Sequence, residues 1–110
     1  MTLPGAAPAP AVDARRYQVA AEVGRRAVAL AEERIRPSQI LTREAFDNAI
    51  TVLLAVGGST NAVIHLLALA RRCGVELELD RFDELSRVTP LIADVRPSGE
   101  QLVEQLFHAG

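Results

Sequence analysis

Ala49-Ile50-Thr51-Val52-Leu53-Leu54-Ala55-Val56-Gly57-Gly58-Ser59-Thr60-Asn61-Ala62-Val63-Ile64-His65-Leu66-Leu67-Ala68-Leu69-Ala70 is the stretch that decides the fold. It is largely apolar and long enough to cross a bilayer. Gly57, Gly58, Ser59, Thr60 and Asn61 interrupt it in the middle, however, and His65 follows. Two buried helices joined by a tight turn fit better than a membrane span. The first runs from Arg43 to Val56, with Thr42 as N-cap and Glu44 in the first turn, where a carboxylate suits the helix dipole. Phe46, Ala49, Ile50, Val52, Leu53 and Leu54 leave its second half apolar on nearly every side. The second, capped by Ser59 or Thr60, runs to about Arg72, and Gly74 closes it as a C′ residue.

Upstream, residues 1–12 are rich in Pro and Ala and are expected to form an extended lead-in. Residues 13–110 make up the folded part. Asp13 is a plausible N-cap for a helix from Ala14 to about Arg34, with Val19, Val23, Ala27, Leu30 and Ala31 at helical spacing. Glu22 and Arg26 are placed for an i,i+4 pair, and Gly24 either weakens this helix or marks a close neighbour. Pro37-Ser38 separates it from the next helix. Downstream, Val75 to Leu79 alternates apolar and acidic residues and reads as a short strand, as does Leu91 to Val95. Asp80 is placed to cap a short helix using Phe82, Leu85 and Val88. Ser98 and Gln101 have capping-box spacing before a last helix carrying Leu102, Val103, Leu106 and Phe107 on one face. The fold class is mostly α with one or two short strands.

Composition narrows the function. The chain has 110 residues, 49% of them hydrophobic but only 4% aromatic, so a modest core must be built from Ala, Val, Leu and Ile. A net charge of −2, with acids and bases interspersed, provides no basic patch for a nucleic acid. The N-terminus lacks the basic and apolar regions of a signal peptide, so a soluble cytoplasmic protein with no membrane partner is expected. The two central helices are apolar on most sides. Five short elements can hardly cover both, so the isolated chain should expose apolar surface and self-associate.

Chemistry has few places to reside. In Gly57-Gly58-Ser59-Thr60-Asn61 the glycines permit positive φ and close approach, and the helix start offers free N–H groups. Two hydroxyls and an amide add donors, so the turn has the means to hold a carboxylate or phosphate. The plainer reading is a Gly C-cap followed by a Ser/Thr N-cap. His65, one turn beyond Asn61, is either a core histidine satisfied by a backbone carbonyl or a site-facing one. His108 is expected at the surface of the last helical turn. Cys73, the sole cysteine, follows Arg71-Arg72 at a helix C-terminus, where the dipole does not favour a thiolate. No His, Cys, Asp or Glu cluster has metal-ligand spacing, and Asp80, Asp83 and Glu84 are explained by capping and solvation. Nucleophile-elbow, Walker and dinucleotide motifs are absent.

Several stretches, taken in order, resemble one family. Ile40-Leu41-Thr42-Arg43-Glu44-Ala45-Phe46-Asp47-Asn48-Ala49-Ile50 is similar to a segment of the dihydroxy-acid and 6-phosphogluconate dehydratases, which include sugar-acid dehydratases. Gly57 through Leu66 is similar to that family's most recognisable internal sequence. Leu3-Pro4-Gly5, Thr89-Pro90, Arg96-Pro97-Ser98-Gly99 and His108-Ala109-Gly110 also match in order. The resemblance implies a fragment of a larger three-layer α/β N-terminal domain. It also implies dehydration of a 2,3-dihydroxy acid or aldonic sugar acid to a 2-keto acid, as in branched-chain amino acid biosynthesis. The family uses an iron–sulfur cluster held by three cysteines, a magnesium ion held by carboxylates and a modified lysine, and a serine base in the C-terminal domain. The full enzyme is expected to be a homo-oligomer acting on a small hydroxy acid. The Arg96-Pro97-Ser98-Gly99 and Arg15-Arg16-Tyr17 wording leans toward sugar acids.

No cysteine ligand, magnesium ligand or catalytic base of the family has a matching position in this chain, and Cys73 falls where the family has no ligand. Both ends have the look of truncation. What carries over is limited to Gly57, Gly58, Ser59, Thr60, Asn61 and His65, as residues lining or supporting a substrate cavity. No catalytic or metal-binding residue is assigned, and neither iron–sulfur nor magnesium is expected to bind this piece, which should be inert alone. The competing readings are a free-standing helical interaction module and a small-anion binder built on the Gly57–Asn61 turn.

Overall fold

A computed structural model describes residue 3 and residues 5–109 of the chain. Two compact units emerge, Met1–Arg36 with Leu102–Gly110, and Pro37–Gln101. The described residues are mostly helical, in the order α1 (Ala14–Glu32), α2 (Pro37–Ile40), α3 (Arg43–Ala55), α4 (Thr60–Cys73), α5 (Leu79–Ser86) and α6 (Val103–Ala109). No helix is long and apolar enough to cross a membrane among the described residues.

In the first unit, Asp13 caps α1, its carboxylate accepting from the Arg15 backbone N–H at 2.8 Å. The Arg15 guanidinium also donates to this carboxylate and holds its pKa down to about 2. The described part of the Pro/Ala-rich lead-in is not extended. It folds into turns, with Ala9 buried and its carbonyl accepting from Arg16 at 3.2 Å. Proline blocks helix there without preventing turns. Glu22 pairs with Arg25, and Arg26 with Glu33, in place of the expected Glu22–Arg26 pair. Gly24 faces open space, so it weakens α1 and does not admit a neighbour. Helix α6 starts one turn later than the Ser98–Gln101 pattern suggests. The Gln105 side chain reaches back to accept from the Leu102 N–H at 2.8 Å, which is the return half of a capping box. Arg15 lies over the Phe107 ring at 4.3 Å.

The second unit is built around α3, which packs against both α4 and α5. Phe46 and Ile50 of α3, Ala70 of α4, Phe82 of α5, and Ala93 and Val95 are its buried apolar residues. Thr42 caps α3, its hydroxyl accepting from the Ala45 N–H at 3.3 Å. Pro37, expected only as a separator, opens the short α2, because proline's fixed φ suits a first helical position. Asp80 lies inside α5; the N-cap is Glu78, which makes no side-chain capping bond. Val88 follows α5 and is exposed.

Neither expected strand forms among the described residues. Val75 to Glu78 is irregular, and near Leu91–Val95 there is only an isolated bridge between Val95 and Gln101. The alternation still carries meaning, since Val75 and Leu77 are half-buried while Glu76 and Glu78 are exposed. Alternation sets which side is buried, but a strand also needs a partner for its N–H and C=O groups. The expected apolar exposure is present: Val52, Ile64, Leu69, Leu91 and Ile92 each expose about half or more of their surface.

Candidate functional site

The Gly57–Asn61 turn is built from the end of α3 and the start of α4. Gly57 adopts φ +61°. Its N–H donates to the Leu54 carbonyl at 3.0 Å, and the Gly58 N–H reaches the Leu53 carbonyl at 2.8 Å. These two bonds form a Schellman ending, which needs one residue in the left-handed region. Helix α4 ends in similar fashion, with Gly74 at φ +71° and the Val75 N–H donating to Ala70 at 2.9 Å.

Ser59 then caps α4, its hydroxyl accepting from the Asn61 N–H at 3.2 Å and its carbonyl from the Ala62 N–H at 2.9 Å. The capping reading of the turn is therefore correct in detail. Ser59, Thr60 and Asn61 remain exposed, Gly57 and Gly58 are half-buried, and His65 is exposed one turn along. Of the two readings of His65, the core one does not hold. Thr60, Asn61, Ile64, His65, Ala68 and Leu69 share the open side of α4, while Ala62, Val63, Leu66, Leu67 and Ala70 are its more covered positions.

A feature that the sequence reading missed meets this turn from residues 91–101. Ser98 donates its hydroxyl to the Gly57 carbonyl at 2.6 Å, across 41 positions of sequence. The Ile92 N–H donates to the Ala55 carbonyl at 2.8 Å. The only available signal was that both motifs belong to the same family wording. Nothing in one sequence says that they touch.

A second polar cluster joins α3 to α5. The Asp47 carboxylate accepts from Arg81 Nε at 3.0 Å and Nη2 at 2.9 Å, while Arg81 Nη1 reaches Glu84 at 2.8 Å. Arg43 Nε lies 3.5 Å from Asp47, and its Nη1 donates to the Glu76 carbonyl. The Arg81 bonds hold the Asp47 carboxyl below its ordinary value of 3.8, against the opposing effect of burial. With its pKa depressed in the fold, Asp47 contributes stability above the unfolded value and loses it as pH falls through the folded one. Asp47→Asn should therefore cost about 1 kcal/mol near neutral pH, the partial exposure of both partners keeping the figure modest. In urea melts at several pH values, the gap should begin to narrow as pH falls past 3.8 and go on narrowing below it. A gap that keeps its full size however far the pH falls below 3.8 would show that charge is not its source.

The donor set does not fit an iron–sulfur cluster. Cys73, at the end of α4, is the only cysteine, and one thiolate cannot hold such a cluster. All twelve basic residues are arginines, so no lysine is present for modification. Among the described residues no group of three or more His, Cys, Asp or Glu is placed to hold a metal ion.

The chain belongs to the dihydroxy-acid/6-phosphogluconate dehydratase N-terminal family, whose model matches residues 1–110. It is 49% identical to the L-arabinonate dehydratase of Rhizobium leguminosarum bv. trifolii over the whole of this chain and 19% of that protein. It is 48% and 51% identical to the dihydroxy-acid dehydratases of Pyrococcus abyssi and Sulfurisphaera tokodaii, again over the whole chain and 20% of each. The chain thus spans about a fifth of the length of these curated relatives. Identity does not separate the sugar-acid relative from the dihydroxy-acid ones.

Proposed function

We propose that this chain is a helical supporting segment of an iron–sulfur-dependent dehydratase and does not turn over substrate by itself. The whole protein would convert a 2,3-dihydroxy acid or an aldonic sugar acid to a 2-keto acid. A base removes the proton alpha to the carboxylate, the C3 hydroxyl departs as water, and the enol ketonises. In this reading Gly57, Gly58, Ser59, Thr60, Asn61 and His65 line or support the substrate cavity. The exposure of the last four supports that placement. The whole protein is a cytoplasmic homo-oligomer, and the cluster and magnesium are held by residues other than those of this chain.

The observation that carries the reading is a family match along all 110 residues in a chain with one cysteine and no lysine. A graft tests it. These 110 residues replace the matching stretch of the L-arabinonate dehydratase relative, and 2-keto acid formation from L-arabinonate is followed. The graft should turn over, and the chain alone should not. A folded graft with no activity would sink the dehydratase reading, and turnover by the chain alone would sink the supporting role.

A further inference from the structure

Two motifs far apart in sequence are closed onto each other in this fold. The loop after Ala93 is tied up internally. The Gly99 N–H donates to Val95 at 2.7 Å, the Gln101 N–H to Asp94 at 3.0 Å, the Arg96 N–H to Gln101 at 2.8 Å, and the Glu100 N–H to the Asp94 side chain at 3.2 Å. Gly99 is pressed against Asp94 so closely that a Cβ would lie 2.3 Å from the Asp94 carbonyl carbon. The loop is therefore a braced platform, and Ser98 stands on it. From there its hydroxyl reaches the Gly57 carbonyl. The Schellman bonds use the N–H groups of Gly57 and Gly58 and the carbonyls of Leu53 and Leu54. The carbonyls that follow must find donors elsewhere. Ala55 takes the Ile92 N–H, and Gly57 takes Ser98.

We propose that Ser98 is a positioning residue for the start of α4. By holding the Gly57 carbonyl it fixes the peptide units that lead into Ser59, and so the direction in which Ser59, Thr60 and Asn61 present their polar groups. The Ile92 bond anchors the same turn at Ala55, two residues earlier, and Ser98 holds the carbonyl side of the Gly57–Gly58 peptide, whose N–H is already bonded to Leu53. This inference rests on the reading that the turn faces the substrate cavity. Placement errors of about an ångström at such a turn cost up to about a hundredfold in rate.

The test uses the 110-residue graft in the L-arabinonate dehydratase relative, and the unfused chain beside it. In the graft, Ser98→Ala should lower kcat/KM about tenfold. Ser98→Thr, which keeps the hydroxyl, should restore most of it, with thermal midpoints of all three within a few degrees. In the unfused chain, Ser98→Ala should speed amide exchange at Asn61 and Ala62 about tenfold. These two N–H groups depend on Ser59, whereas Val75, bonded to Ala70 at the far end of α4, should not change. Unaltered kinetics in an active graft would overturn the proposal, and so would a loss that Thr fails to rescue. If the unsubstituted graft is folded but inactive, the dehydratase reading fails and exchange alone decides. Unchanged protection at Asn61 and Ala62 then removes the positioning role, and selective loss there sustains it.

Discussion

Ile50→Ala should remove about 3–4 kcal/mol of stability, a large share of the roughly 3–10 kcal/mol available to a unit of this size. Ile50 is the one large side chain fully withdrawn from solvent among the described residues. It sits on α3, the helix that packs against both α4 and α5. The cost has two parts: the transfer energy of the deleted carbons and the cavity left when neighbours relax only partly. The cavity should persist, because the other buried apolar residues of this unit are either phenylalanines already almost fully withdrawn from solvent or short side chains with little reach. Ile50→Val, which deletes one methyl, should cost about 1 kcal/mol. Urea unfolding followed by far-ultraviolet circular dichroism measures both. If the Ala variant lost less than about 1 kcal/mol, the packing described for α3 would be wrong.

The longer helices, α1, α3 and α4, were legible in the sequence because their ends carry a local code. Asp13 and Thr42 have the residue type and place of N-caps, and Gly74 those of a C′ residue, and all three act in those roles. Each signal depends on residues within one turn of one another. What failed depended on distant partners. Val75–Leu79 and Leu91–Val95 have strand-like patterns, yet the described fold gives neither a neighbouring strand, and Ile92 spends its N–H on the end of α3. Ser98 and Gln101 stand at capping-box spacing, which points Ser98 at the start of the last helix. In the fold its hydroxyl goes 41 residues back, to Gly57. His65 has apolar neighbours, which leave a core histidine and a site-facing one both open in the sequence. The open side of α4 also carries Ile64 and Leu69, so apolar neighbours did not mean burial. The same apolar exposure is what a segment seated among further protein would present. The candidate site was thus visible as a motif, and its bracing was not.

Gly57→Ala should cost about 2–4 kcal/mol, the second large effect, and it acts at the turn itself. One part is backbone. At φ +61° a Cβ meets its own carbonyl, and a non-glycine residue there costs roughly 1–2 kcal/mol. The other part is space. An added Cβ would lie 1.9 Å from Ser98 Oγ and 3.0 Å from Leu91 Cδ1, so the Ser98 hydrogen bond must break or the loop must move. Gly58→Ala is the informative comparison. Its φ is ordinary, and the first atom met is the mobile end of Leu53, 2.3 Å away. It should therefore cost about 1 kcal/mol, with the Ser98 contact kept. Paired urea melts of the two variants read the difference. Combining Gly57→Ala with Ser98→Ala separates the two parts: removing the hydroxyl relieves the crowding but not the backbone strain. The double variant should be less destabilised than the sum of its singles by about 1 kcal/mol. Strict additivity would mean that Ser98 and Gly57 do not meet in solution, and the joint between the two motifs would have to be redrawn.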